Sequence, residues 1–87
     1  MVAKKVTLQE EHGLHMRPAM HIVEKCQNYE AKVTICLNCK EADGCSIMSL
    51  LLLEAEKGSE LEIKAVGSDE ERALSELAEL FNNGAGI

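Results

Sequence analysis

Positions 2–8 alternate, with Val2, Lys4, Val6 and Leu8 on one side of the chain and Ala3, Lys5 and Thr7 on the other, the two-residue period of a half-buried strand. A loop carrying Gly13 follows over Glu10 to Leu14, and the period then changes. Met16, Ala19, Met20, Ile22, Val23 and Cys26 recur at intervals of three and four, which predicts an amphipathic helix from Met16 to about Gln27. Pro18 falls in the first turn, where its missing N–H costs nothing, so the helix is expected to begin directly after His15. Ala31, Val33, Ile35 and Leu37 alternate with Lys32, Thr34 and Cys36 as a second strand. Asn38 and Cys39 then make a tight turn into a short third strand over Lys40 to Ala42, with Cys39 at the position expected to need positive φ.

Ser46 is a good N-cap for the apolar run Ile47 to Leu53. Gly58 breaks the chain before a last strand, in which Leu61, Ile63 and Ala65 alternate with Glu60, Glu62 and Lys64. Ser68 and Glu71 have capping-box spacing for a final helix with Ala73, Leu74, Leu77, Leu80 and Phe81 on its apolar face. The tail from Asn82 to Ile87 is a helix stop.

Strands apolar on one face, interleaved with helices in the order βαββαβα, predict an α+β open-faced sandwich: a four-stranded antiparallel sheet with three helices on one face. The other face, with Lys5, Thr34, Glu62 and Lys64, is expected to meet solvent. At 87 residues the chain is read as one domain, 1–87, with a thin core that needs every apolar stripe. The N-terminus has no apolar secretory region and no run approaches a membrane span, so a cytoplasmic protein without membrane insertion is expected, and it is read as a monomer.

Charge sharpens the picture. The formal net charge is −6, and all of it lies in residues 54–87, while residues 1–53 balance. With its bases scattered, the chain lacks the basic cluster that neutralises phosphates, which argues against nucleic-acid partners. The three histidines, His12, His15 and His21, and one of the two arginines, Arg17, fall within ten residues of the neutral half.

Four cysteines, Cys26, Cys36, Cys39 and Cys45, are read as free thiols. Cys36 and Cys39 have CxxC spacing, but no second ligand pair follows and the motif ends a strand instead of opening a helix. A thiol- or metal-responsive binding module is therefore the weaker alternative, and no metal or cofactor is expected.

A histidine directly before a helix faces the open amides of the first turn, here those of Met16, Arg17 and Ala19, and the positive end of the helix dipole. That setting favours an anion on or beside the imidazole. Arg17 adds a charged fork suited to phosphate oxygens. Gly13-Leu14-His15-Met16-Arg17-Pro18 therefore reads as a site that accepts and releases a phosphoryl group on His15, against the simpler reading of a polar cap beside a solvated arginine.

Gly13 to Ala19 resembles the active-site signature of HPr, the histidine phosphocarrier family of the bacterial sugar phosphotransferase system, and Ser46-Ile47-Met48 resembles that family's regulatory serine segment. The resemblance covers nearly the whole chain. It implies that His15 takes phosphate on Nδ1 from the phosphohistidine of enzyme I and passes it to enzyme IIA, with Arg17 and the helix amides on the oxygens. It implies a carrier with no independent turnover, and an HPr kinase/phosphorylase acting on Ser46. The nitrogen-type or purely regulatory branch shares this fold and histidine and stays open as an alternative. Met16 is bulkier than the residue usual after the histidine, His12 stands where asparagine is common, and Cys39 replaces a turn glycine.

A carrier must be open to two partners in turn. Met16, Met20, Ile47, Met48, Leu51 and Leu52 are expected to form an exposed apolar collar around His15, with His12 in the adjoining loop, while Leu50 and Leu53 enter the core. His21, six residues along the helix from His15, is expected to face elsewhere. Phosphorylation of Ser46 would set close to two negative charges beside the collar and weaken docking of enzyme I.

Overall fold

The computed structural model describes residues 1–9, 11 and 13–82. Its elements are β1 (Val2–Thr7), α1 (Met16–Cys26), β2 (Lys32–Leu37), β3 (Lys40–Asp43), α2 (Ile47–Leu52), β4 (Glu60–Val66) and α3 (Glu70–Asn82), the expected βαββαβα order. The sheet order is β1-β4-β2-β3, and every neighbouring pair is antiparallel.

Strand alternation sets the two faces. Leu61, Ile63 and Ala65 point from β4 into the core, where Val6, Ile35 and Val33 stand opposite them in register. Burying a valine, leucine or isoleucine fully stabilises the fold by about 1.5–3 kcal/mol, so these central pairs hold the layers together. Val6 and Leu8 of the first alternating run are buried and Val2 is half-buried, whereas Lys4 stays exposed because β1 is a sheet edge, where an inward-facing charge deters strand addition. The opposite face carries the ion pairs Lys64–Glu41 at 3.9 Å and Lys64–Glu62 at 3.8 Å. Cys36 shares that face but is buried between cross-strand neighbours Glu41 and Glu62, with its sulfur 3.8 Å from a Glu41 carboxylate oxygen.

The helices cover the apolar side. α3 packs on β1 and β4, α2 on β3, and α1 lies against both of them. Ala19, Ile22, Val23 and Cys26 form the buried stripe of α1, and Ala73, Leu77, Ala78 and Phe81 that of α3. Leu74 and Leu80, expected on that stripe, are only partly buried, and Ala78 takes part instead.

Several local expectations are corrected. β3 runs one residue further, to Asp43, and the positive φ of the β2–β3 turn falls on Asn38 (55°) instead of Cys39. Asparagine tolerates the left-handed region better than cysteine, whose Cβ is not offset by a local hydrogen bond. The Ser68–Glu71 capping box does not form. α3 starts at Glu70, whose carboxylate accepts from the Gly67 amide at 3.1 Å, while the Ser68 hydroxyl donates to Glu30. α2 ends at Leu52, one residue early, and Glu54 beyond it takes a left-handed φ of 54°. Asn82, read as a helix stop, is the last helical residue, and the rest of the predicted tail, 83–87, lies outside the described residues.

Two clasps join the turn after α1 to α3. The Asp69 carboxylate accepts from the amides of Glu30 (3.0 Å) and Ala31 (2.8 Å). The buried Tyr29 hydroxyl donates to Glu76, and the Arg72 guanidinium sits 5.1 Å over the Tyr29 ring. Burial, then the hydrogen bond to Glu76, pushes the Tyr29 phenol well above its usual range.

Candidate functional site

His15 occupies the position before α1 with extended backbone, φ −101° and ψ −169°, and its carbonyl accepts the Ala19 amide at 3.0 Å. Its side chain does not cap the helix. His15 is thus the N-cap of α1 by its backbone and not through its side chain. The expected trio of open amides is reduced: Ala19 is spent on the His15 carbonyl and Pro18 has no N–H, which leaves the donors of Met16 and Arg17 in the first turn. The ring is half-buried, and its Nε2 atom is shielded from solvent.

The approach to His15 is set from across the molecule. The Leu14 amide donates to the Ala55 carbonyl at 2.9 Å, and the His15 amide donates to the Gly13 carbonyl at 3.1 Å. Gly13 has φ +75°, and a Cβ there would lie 2.5 Å from the Ala55 oxygen. Only glycine permits both that conformation and that approach. The segment after α2 thus acts as the rest on which the site loop lies, with Leu14 buried behind it. Sequence reasoning missed Glu54 and Ala55, and no residue type there signals the role.

Arg17 is exposed on α1 and lines a shallow groove with Met20, His21 and Glu24. His21, expected to face away from His15, lines this groove with Arg17, one helical turn away, and His15 is not among the groove's lining residues. Met16, Met20, Met48 and Leu52 are 53%, 45%, 66% and 65% exposed, and α1 packs against α2, which places the four on adjoining helices. Ile47 and Leu51, expected in the exposed collar, are half-buried against the core, because, one helical turn apart, they share a side of α2 that packs against it. Leu50 and Leu53 are buried. His12 lies outside the described residues.

Ser46 caps α2: its Oγ accepts the Ser49 amide at 3.3 Å and its carbonyl accepts the Leu50 amide at 3.1 Å. Its side chain remains half-exposed. The CxxC pair divides, with Cys36 in the sheet and Cys39 exposed on the turn, and among the described residues no three metal-ligating side chains converge. Burial pushes the Cys26 thiol up to about 12, with smaller contributions from Cys45 and Asp43, and raises Cys36 and Cys45 as well. Such thiols are poor nucleophiles near neutral pH.

The fold and this geometry define an open-faced α+β sandwich that presents a histidine at the start of α1, an exposed arginine two residues on, and exposed apolar side chains on α1 and the adjoining α2. A family profile described as "PTS HPr component phosphorylation site" matches residues 2–83. The phosphocarrier protein HPr of Borreliella burgdorferi is 42% identical over 83 residues, covering 95% of this chain and 96% of its own. The phosphocarrier protein NPr of Escherichia coli K12 is 37% identical over 84 residues, covering 95% and 93%. The crystal structure of HPr-C-His from Thermoanaerobacter tengcongensis superposes with a TM-score of 0.94 at 26% identity, covering 100% of this chain and 98% of that one. The chain belongs to the HPr family and is a phosphocarrier of the phosphotransferase system, of the class that includes HPr and NPr.

Proposed function

We propose that His15 is the phosphoryl acceptor, taking the group from the phosphohistidine of enzyme I and passing it to an enzyme IIA domain. The observation that carries this reading is the placement of His15: directly before α1, with a side chain that does not cap the helix and with Nε2 shielded. Nδ1 then attacks phosphorus, an N–P bond forms to His15 as the donor's N–P bond breaks, and the electron pair returns to the donor imidazole. The amides of Met16 and Arg17 and the Arg17 guanidinium supply donors for the phosphoryl oxygens. The second transfer runs the same exchange toward the acceptor. Energy enters with the donor's phosphoramidate, so the carrier needs no cofactor of its own and acts as a single-domain monomer with no turnover apart from its partners.

Ser46 serves regulation in this reading. Phosphorylated by an HPr kinase/phosphorylase, it would keep oxygen acceptors at the α2 N-terminus, which tolerates negative charge, and would charge a rim that is otherwise apolar. Docking of enzyme I would weaken while the fold persisted.

The sugar-transport branch is favoured by the Ser46-Ile47-Met48 segment, and the nitrogen-type branch by the 37% identity to NPr along nearly the full chain. Incubation with enzyme I and labelled phosphoenolpyruvate should give an acid-labile label that His15→Ala abolishes. Offering the labelled carrier to sugar-type and nitrogen-type IIA domains then separates the branches. Label persisting in His15→Ala would overturn the assignment.

A further inference from the structure

Spacing in the sequence pairs Cys36 with Cys39, but the fold brings two other sulfurs together. Cys26, the last residue of α1, is buried, and Cys45 is exposed on the turn that leads into α2. Their thiols are in hydrogen-bond contact, Cys26 donating to Cys45. Backbone bonds fix the turn where this contact needs it. The Gly44 amide donates to the Val33 carbonyl of β2 at 2.9 Å, the Cys45 amide to the Asp43 carboxylate at 2.9 Å, and the Ser46 amide to the Asp43 carbonyl at 3.0 Å. A Cβ at Gly44 would lie 3.0 Å from the Cys26 sulfur and 2.9 Å from Cγ1 of Val33. Glycine therefore lets the backbone lie directly on that sulfur and carry the next side chain, Cys45, to it.

We propose that Cys26 and Cys45 are a redox modification site, at which a hydroperoxide forms a reversible disulfide joining the end of α1 to the residue before the α2 cap. Cys45, the exposed member, gives up its proton and its sulfur attacks hydrogen peroxide; the O–O bond breaks, a sulfenic acid forms and water leaves. The Cys26 sulfur then attacks that of Cys45 as its own proton passes to the departing hydroxide. An S–S bond replaces the S–O bond and a second water leaves. The two thiols together lose two electrons and two protons, and one peroxide takes them up.

The surroundings set the order of attack and make the pair a slow latch. Burial, then the Asp43 charge, raises the Cys45 thiol, and the hydrogen bond from Cys26 partly offsets this, so Cys45 is the first to lose a proton. Burial above all pushes Cys26 up to about 12. A thiol so raised attacks slowly, and it is also a poor leaving group, so the disulfide once formed resists reduction by small thiols. Helices α1 and α2 pack together, and a bond from the end of one to the threshold of the other ties them covalently. It closes a loop of about 20 residues.

The test treats the reduced full chain with hydrogen peroxide, blocks remaining thiols by alkylation, and digests with trypsin without reductant. Cleavage after Lys25, Lys32, Lys40 and Lys57 puts Cys26 in peptide 26–32 and Cys45 in 41–57, and keeps Cys36 and Cys39 together in 33–40. Mass spectrometry should find 26–32 and 41–57 joined, two hydrogens lighter than their sum, and parted again by dithiothreitol. Oxidation should also raise Tm by about 5 °C or more. Amide exchange in α2 should slow with it. Cys45→Ser, at an exposed position, leaves the core sulfur in place and should abolish all three effects, while Cys39→Ser should keep them. A bond within 33–40 or a dimer through Cys39, with Cys26 and Cys45 still alkylated, would overturn the proposal. So would a sulfinic acid on Cys45 beside an alkylated Cys26, or joined peptides without a rise in Tm.

Discussion

Replacing Gly13 by alanine tests how the site loop is held. At φ +75°, the new Cβ would lie 2.5 Å from the Ala55 oxygen and 3.1 Å from the Glu56 Cα, both backbone atoms that cannot rotate aside. Gly58 supplies the comparison within the same molecule, with φ +89° and nothing within 4 Å of its Cβ position. Left-handed backbone costs a non-glycine residue about 1–2 kcal/mol. Alanine's smaller unfolded-state entropy offsets about 0.4–1 kcal/mol of that, so Gly58→Ala should destabilise by about 1 kcal/mol. Gly13→Ala carries the same strain and must also displace packed backbone, which adds about 1–3 kcal/mol and brings the total to about 2–4 kcal/mol. For a domain of this size each kcal/mol lowers Tm by about 4–8 °C. Urea unfolding followed by far-UV circular dichroism should show the difference at constant m-value. Hydrogen exchange at the Leu14 amide, bonded to Ala55, should accelerate in Gly13→Ala alone. Equal destabilisation by the two substitutions would refute the argument that the Gly13–Ala55 contact holds the loop.

Ser46→Ala should cost about 1 kcal/mol in chemical denaturation through loss of the Ser49 cap. Ser46→Asp keeps an acceptor at the cap and should cost less, yet it should slow phosphorylation by enzyme I, and unchanged transfer kinetics would count against the regulatory role. The Glu30 amide first, with the Ala31 amide and Arg72, holds the Asp69 carboxyl below its usual value, and the Gly67 amide does the same for Glu70. Depressed carboxyls stabilise the fold above the unfolded value near pH ~4, and that stability is lost as pH falls through the lower folded values. Asp69→Asn should flatten part of this acid limb in pH-dependent melts, and an unaltered limb would contradict the role given to the clasp. Ellman's reagent should modify exposed Cys39 first and Cys26, 1% exposed with its thiol pushed up to about 12, last.

Much of this arrangement was legible locally. The start of α1 follows from Pro18 and the three-four spacing behind it, and the start of α2 from Ser46, because first-turn chemistry involves neighbours in sequence. Leu50 and Leu53 could be told from Met48 and Leu52 because a wholly apolar helix must still leave one face outside. What escaped the reading depends on distant partners. Asp69 is used by amides 38 and 39 residues away, which moved the start of α3 away from the Ser68–Glu71 spacing. Ile47 and Leu51 carry no label distinguishing half-burial from exposure. Glu54 takes a conformation that its residue type disfavours, and Ala55 supports the site with a backbone oxygen that every residue possesses. Cys36 is buried by its cross-strand neighbours, which are set by register.

The central claim is the proposal that His15 accepts the phosphoryl group on Nδ1, with Nε2 shielded from solvent. Phosphorus–nitrogen correlated NMR on the 15N-labelled protein, charged by enzyme I and phosphoenolpyruvate, tests it most directly. The account predicts one phosphoramidate signal, coupled to Nδ1 of His15 and absent from His15→Ala. A signal coupled to Nε2, or one arising from His21 or His12, would contradict it.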